Sequence, residues 1–410
     1  MKNRYLLSII LMALLATPCA DAINISRLWC SKTFDITYTS VDADNMPVTL
    51  SACITYPTRN AFTSTPAEAK FIILNNHGTL TADKQAPTGS DPLDAVPVFA
   101  KKGAMTLAAS DYGIVISCDY LGYGVSANRR HPYCNPTLTA RNVIDGFMAA
   151  LDTIRARDIS LSEDYYTYNV GYSQGGEVTM AVQRYLETMA TSEQRAAFRL
   201  KRSIAGAGPY DLNLMLDKLT EDETLAYAVS IPLTLETQET AYKEGCMKMI
   251  DAEKFYRDPS LRKKIIEMFD SKQYTTDQIS QAICEAVGKD AVNFFDVISD
   301  SIRGNGPYAR AVRKALSKCN LLNGEWIPQT PMILYHYTGD RVVYYENSLK
   351  AMELFGDKAT LYTNRELDDE VGSVLRDLVD IFGNVSETHS GYGIVFYMYV
   401  LSGAFIGGAL

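Results

Sequence analysis

Ser173 stands in Gly171-Tyr172-Ser173-Gln174-Gly175-Gly176, a G-x-S-x-G pattern whose surroundings make it a candidate nucleophile. Residues 165–170 before it are rich in aromatic and β-branched types, and Val178, Ala181, Val182, Tyr185, Leu186 and Met189 after it recur at helical spacing. The pattern alone arises by chance in surface turns; strand before and helix after turn it into a strand-to-helix elbow. At such an elbow the backbone is forced into a sparsely populated conformation, and Gly171 and Gly175 relieve crowding on either side. The serine would then head a helix, where free amides and the helix dipole favour developing negative charge.

A serine nucleophile needs a base to take its proton and a third group to orient that base. The chain has four histidines, His77, His131, His336 and His389, and only the last two follow Ser173. His336 lies within an apolar strand-like run and reads as a core or strand-end residue. His389 sits in the glycine-bounded stretch Glu387-Thr388-His389-Ser390-Gly391-Tyr392-Gly393, read as a loop before an apolar terminal helix, and is the expected base. Asp340, in Tyr337-Thr338-Gly339-Asp340, follows the end of a strand, where open α/β sheets assemble their sites; Asp368, Asp369 and Glu387 follow no strand end so directly. The order serine, acid, histidine is the one such sheets use. For an oxyanion, the amide of Gln174 is one expected donor. Thr79, in Asn75-Asn76-His77-Gly78-Thr79 at the end of an early strand, is the other. His77 and Gly78 are read as holding or opening that loop, Tyr172 as supporting the nucleophile, and Asp119 as fixing a neighbouring loop by accepting hydrogen bonds.

Elements able to position these residues are legible along the chain. Residues 33–56 read as a hairpin around Asp42-Ala43-Asp44-Asn45. Apolar strands are expected at residues 71–76, 113–119, 165–170, 331–337 and 359–363, with a helix over residues 137–157. Short apolar strands alternating with helices predict a mostly parallel sheet covered on both faces. Residues 212–323 lack strand signal and read as amphipathic helices, one capped by Asp258 with Pro259 at its first turn, another running from Thr276 through Ile279, Ile283, Val287, Val292 and Phe295. That stretch is too long for a connection and reads as a helical cap inserted into a core formed by residues 23–211 and 324–410. Its apolar residues would form its own core; the sharper alternative is a lining for a greasy substrate.

The amino terminus bears on where this chemistry would occur. Lys2 and Arg4 precede an apolar run and Ala20-Asp21-Ala22 offers a small-x-small cleavage site, so residues 1–22 read as a signal peptide cleaved after Ala22. The run is too short for a stable membrane span, and a lipoprotein anchored through Cys19 fits poorly with Pro18 before it. A secreted or periplasmic location permits disulfides, yet loss of Cys19 leaves an odd number of the eight cysteines. No CxxC pair or HExxH motif accompanies them, so no zinc site is expected. With 48 acidic against 39 basic residues and a formal charge of −9, the chain is no nucleic-acid binder.

His77-Gly78-Thr79, Asp119-Tyr120-Leu121-Gly122-Tyr123-Gly124, the elbow, Gly206-Ala207-Gly208-Pro209-Tyr210-Asp211-Leu212, Gly339-Asp340 and Thr388-His389 occur in an order that resembles the secretory lipases of the lipase A-like branch of the α/β-hydrolases. The resemblance implies an α/β-hydrolase core with a helical cap, and hydrolysis of a small-molecule carboxylic ester or lipid without metal or organic cofactor. On the same fold a serine peptidase acting on peptides is the alternative, and a secreted binding protein with a vestigial site is a third reading.

Overall fold

The structure, a computed structural model, describes residues 31–58, 68–89, 113–235, 251–364 and 388–401. The expected signal peptide, Cys19, Cys30, Cys246, Asp368, Asp369 and Glu387 lie outside them.

Eight strands form one sheet: β1 (Ser31–Val41), β2 (Pro47–Pro57), β3 (Ala69–Asn76), β4 (Gly113–Cys118), β5 (Leu161–Tyr172), β6 (Leu200–Gly206), β7 (Met332–His336) and β8 (Ala359–Thr363). Their order across the sheet is β1-β2-β4-β3-β5-β6-β7-β8. β1 pairs antiparallel with β2 and β2 with β4, whereas every pair from β4 to β8 is parallel. The expected hairpin is therefore the antiparallel edge of a mostly parallel sheet. The central strands are the apolar ones because helices cover both their faces.

The helices in chain order are α1 (Pro136–Ala156), α2 (Gln174–Thr188), α3 (Ser192–Phe198), α4 (Leu212–Glu221), α5 (Ser230–Leu235), α6 (Pro259–Ser271), α7 (Thr276–Val287), α8 (Phe294–Val297), α9 (Pro307–Ser317), α10 (Glu346–Phe355) and α11 (His389–Leu401). α1 starts where Asn135 accepts a hydrogen bond from the Leu138 amide at 3.2 Å, with Pro136 in the first turn, and it buries Val143, Phe147, Leu151 and Ile154 on the sheet. α6 begins as its sequence requires: Asp258 accepts from the Ser260 amide at 2.8 Å and Pro259 follows. The helix expected from Thr276 through Phe295 is instead two. Gly288, at φ 76°, ends α7 in a left-handed cap, and Asn293 caps the short α8.

Two apolar clusters result. One joins the sheet to α1 and α2 and includes Ile72, Ile114, Phe147 and Val182. The other lies among the helices between β6 and β7, with Leu216, Ile265, Ile279, Phe294 and Val312 at its centre.

The turn from β5 into α2 is packed to the limit. A Cβ on Gly171 would fall 2.2 Å from the Gly175 carbonyl oxygen, one on Gly175 2.1 Å from that of Asn76, and one on Gly176 2.2 Å from that of Gly206. All three obstacles are backbone, so they cannot swing aside. Gly288 presents the opposite case, positive φ with nothing within 4 Å of where a methyl would point. Gly175→Ala is therefore expected to cost on the order of 3 kcal/mol in urea unfolding, and Gly288→Ala only about 1 kcal/mol. Equal losses at the two positions would mean that backbone strain, not collision, dominates at the elbow.

Candidate active site

Ser173 occupies φ 61°, ψ −128°, between the last residue of β5 and the first of α2. A left-handed φ at a residue with a Cβ costs about 1–3 kcal/mol and persists only where surroundings enforce it. Here the enforcement is visible. The Ser173 amide donates to the Gly206 carbonyl at 2.9 Å, tying the turn to β6, and its own carbonyl accepts the first helical bonds from Gly176 and Glu177.

Asp340 follows β7, and the structure brings it to His389 and Ser173. The carboxylate Oδ2 of Asp340 accepts from His389 Nδ1 at 2.5 Å, and His389 Nε2 lies 2.9 Å from Ser173 Oγ. A carboxylate on Nδ1 fixes the proton there and leaves Nε2 as the lone pair facing the serine hydroxyl. The other oxygen, Oδ1, accepts from the Val342 and Val343 amides at 2.9 and 3.0 Å. Burial pushes the Asp340 carboxyl up, but His389 in front of it and His336 behind outweigh burial and hold it well below the ordinary carboxylate range.

His336 is fully buried at the end of β7, as a strand-end histidine. Its Nε2 donates to the Val343 carbonyl at 2.8 Å and lies 3.5 Å from Asp340 Oδ2, while Nδ1 meets Ser348 Oγ at 2.7 Å. With both nitrogens engaged it buttresses Asp340 and cannot serve as base. His389 differs from its sequence reading in one respect: it is the first residue of α11 rather than part of a loop, because Thr388 starts the helix just before it, accepting from the Gly391 amide on Oγ1 and from the Tyr392 amide on its carbonyl, both at 3.0 Å. Tyr172 holds it there, donating its hydroxyl to the His389 carbonyl at 2.9 Å with the two rings 5.0 Å apart.

The loop after β3 lies against Ser173. A Cβ on Gly78 would sit 3.3 Å from the Tyr172 carbonyl oxygen and 3.7 Å from Ser173 Cβ, so glycine allows the close approach. The loop is secured residue by residue. Tyr120 donates to the His77 carbonyl at 3.2 Å, and His77 Nδ1 to that of Gly78 at 2.8 Å. Thr79 Oγ1 meets Tyr133 at 3.1 Å, and the Leu80 carbonyl accepts from Tyr123. His77 stacks on Tyr120 with ring centres 3.8 Å apart, and burial lowers its pKa to about 4, so it stays neutral. Asp119 stands further back. It accepts from the Thr88 amide at 2.9 Å and from Ser51 Oγ at 2.5 Å, and Ser51 Oγ in turn accepts from the Val125 amide at 3.2 Å, so Asp119 ties the residues near 88 and the glycine loop to β2; burial raises it to about 6.

Two functional neighbours carry no expectation from the sequence. His131 is buried, donates through Nδ1 to the Leu121 carbonyl at 2.8 Å, and receives the Gln174 side-chain amide on Nε2 at 2.6 Å. It thereby pins the residue whose backbone amide follows the nucleophile; burial brings its pKa down to about 3. Its only sequence signal is scarcity, being one of four histidines. Glu177, one turn into α2, is 1% exposed with neither carboxyl oxygen hydrogen-bonded among the described residues. Its signal is a charged residue four positions before buried Ala181, on the inner face of the helix.

A cavity of about 520 Å³ opens above Ser173 and His389. Leu212, Met215, Leu233 and Val343 give it apolar walls, and Thr79, Ser230, Thr234 and Thr275 add hydroxyl-bearing ones.

Sheet order, elbow and constellation together define the α/β-hydrolase fold. No protein-family model matches the chain, and no curated protein matches it in sequence. Solved structures do. The rice cell wall degrading esterase LipA from Xanthomonas oryzae is 23% identical with TM-score 0.64, over 85% of this chain and 90% of that one. A putative hydrolase from Legionella pneumophila is 18% identical with TM-score 0.64, over 90% and 92%. Candida antarctica lipase A in its closed state is 16% identical with TM-score 0.56, over 85% and 73%. At such identities the likeness is one of fold.

Glu177 gives the fold a measurable pH dependence. Burial raises its carboxyl from 4.5 to about 8, so the folded protein holds a proton that the unfolded chain has released. The contribution of Glu177 to stability is then full below the unfolded value and declines as pH rises from there towards 8, where the folded group also ionises. Glu177→Gln should flatten that decline and exceed the wild type by on the order of 2 kcal/mol at about pH 8.5. Urea unfolding at about pH 5 and about pH 8.5 tests this; parallel behaviour of the two proteins would show that Glu177 is already ionised when folded.

Proposed function

We propose that the protein is a secreted carboxylic ester hydrolase of the esterase/lipase type, working through an acyl-enzyme on Ser173. The observation that carries this reading is the continuous chain from Asp340 through His389 to Ser173 Oγ, at 2.5 and 2.9 Å, opening into a cavity beside the Gly78–Thr79 backbone. Two of the structures it resembles are an esterase and a lipase, which agrees with the reading.

In this mechanism His389 takes the hydroxyl proton as Ser173 Oγ bonds to the ester carbonyl carbon. The carbonyl π pair moves onto oxygen, where the amides of Gln174 and Thr79 receive the negative charge. Neither amide donates a hydrogen bond to another described residue, so both remain available to a ligand. Collapse of the intermediate breaks the ester C–O bond, and His389 returns its proton to the departing alkoxide. Water then attacks the acyl-enzyme with His389 again as base, releasing the carboxylic acid and Ser173. Asp340 keeps the imidazole in the reactive tautomer throughout and stabilises the imidazolium.

The helices of residues 212–323 act as a cap: Leu212, Met215 and Leu233 from that stretch form the apolar walls above the serine. Mixed apolar and hydroxyl lining fits an ester with both kinds of surface. Among the described residues no helix is long and apolar enough to cross a membrane, and secretion rests on the amino-terminal sequence.

A fluorophosphonate probe should label the wild type and leave Ser173→Ala unlabelled. Asp340→Asn should lower kcat on nitrophenyl esters by about 10³- to 10⁴-fold, since the wrong imidazole tautomer then faces the serine. A chain-length series of nitrophenyl esters beside aminoacyl anilides sorts the chemistry. Cleavage of anilides without ester turnover would overturn the esterase reading in favour of a peptidase.

A further inference from the structure

At the end of α6, residues 270–274 of the helical stretch lie against the loop that supplies Thr79: two hydrogen bonds join them to that loop, and two further contacts tie them to Tyr123 and Arg130. The Asp83 amide donates to the Lys272 carbonyl at 2.8 Å, and Thr81 Oγ1 donates to the Tyr274 carbonyl at 2.7 Å. Arg130 grips Asp270 with two nitrogens, at 3.0 and 2.8 Å. The Lys272 ammonium sits 4.7 Å from the centre of the Tyr123 ring, and the Tyr123 hydroxyl in turn donates to the Leu80 carbonyl.

Lys272 is unusual on three counts. Its backbone is left-handed at φ 56°, closing α6 where glycine is the ordinary choice. It is only 8% exposed, and an ammonium is among the groups least suited to burial. Burial brings the amine down to about 8 and Arg130 adds to that, while Asp270 and Asp83 pull the other way. A solvent-facing side chain would close the helix as well without this cost. What the buried one gains is the face of Tyr123, which holds a desolvated cation more strongly than an exposed one.

We propose that Lys272 is a positioning residue for acyl transfer at Ser173: through Tyr123 and its own carbonyl it fixes Leu80 and Asp83, and so sets where the Thr79 amide stands when the oxyanion forms. The helical stretch then takes part in catalysis through this clamp besides walling the cavity. The clamp acts on the residues just after Thr79, while the Thr79 hydroxyl itself meets Tyr133 at 3.1 Å. An oxyanion donor displaced by a fraction of an ångström loses transition-state stabilisation while the ground-state ester still binds, so the effect falls on kcat.

The proposal rests on the reading of Ser173 as nucleophile, and the experiment separates the two. Full-length wild type, Lys272→Met and Lys272→Arg are compared by kcat and KM on nitrophenyl butyrate, by the rate of fluorophosphonate labelling, and by thermal unfolding. Lys272→Met should lose on the order of 10-fold in kcat and in labelling rate with KM little changed, and Lys272→Arg, which keeps a cation on the Tyr123 face, should recover most of both. A folded Lys272→Met with wild-type kcat and labelling rate overturns the proposal, as does a change confined to KM or an arginine variant no better than methionine. Should Lys272→Met fail to fold, Lys272→Gln is read by the same criteria. If the wild type itself is not labelled at Ser173, the nucleophile reading fails instead.

Discussion

A serine held at φ 61° between a buried strand and a helix is a conformation that nothing local favours, and the rest of the molecule is arranged to impose it. The imposition comes from three strands at once. β3 places the Asn76 carbonyl where only glycine fits at positions 171 and 175, and β6 places the Gly206 carbonyl where it both accepts from the Ser173 amide and excludes a side chain at Gly176. β5 delivers the serine itself. Once those carbonyls are fixed, the hydroxyl has one direction, out of the carboxyl end of the sheet. The loops after β3 and β7 emerge at the same end because parallel strands share their direction.

The charges around that hydroxyl are distributed consistently with acyl transfer. The Asp340 carboxylate, kept ionised by His389 and His336, lies on the far side of the imidazole from the serine. The groups around Ser173 are kept neutral by burial: His131 against Gln174, His77 against Gly78, and Glu177 one turn along the helix. An ionised Glu177 would place negative charge at the helix end meant to favour an oxyanion. Burial raises its carboxyl to about 8 and so removes that conflict at neutral pH.

What can be read from the sequence divides along local and non-local lines. The elbow, Asp340 and the hairpin carry short-range signals: glycines flanking a serine, an aspartate just past an apolar strand, alternation on both sides of a turn. β6 escapes such a reading because Lys201 and Arg202 open it and only Ser203–Gly206 is buried, too short a run to register as a strand. The break at Gly288 is masked because Val292 and Phe295 happen to continue the helical spacing beyond it. His131, Glu177 and Lys272 are illegible for a different reason. Each owes its place to a partner 43 or more residues away, or to burial by several such segments, and periodicity carries no information about either.

Serine and imidazole sit on elements far apart in the chain, so their 2.9 Å separation must be set by something that touches both. Tyr172, adjacent to the nucleophile, does so. Its ring packs against Phe396 of α11 at 5.4 Å and leaves room for Gly393 only because that residue lacks a side chain. Its hydroxyl reaches the His389 carbonyl. The side chain next to the serine is therefore the gauge that sets the helix carrying His389. A shift of α11 would have to break the Tyr172 hydrogen bond and uncover an aromatic ring before His389 could leave Ser173 Oγ. Ser173 and His389 are thus coupled through the residue next to the serine, and Asp340, held by the Val342 and Val343 amides, needs only to meet an imidazole whose position is already determined.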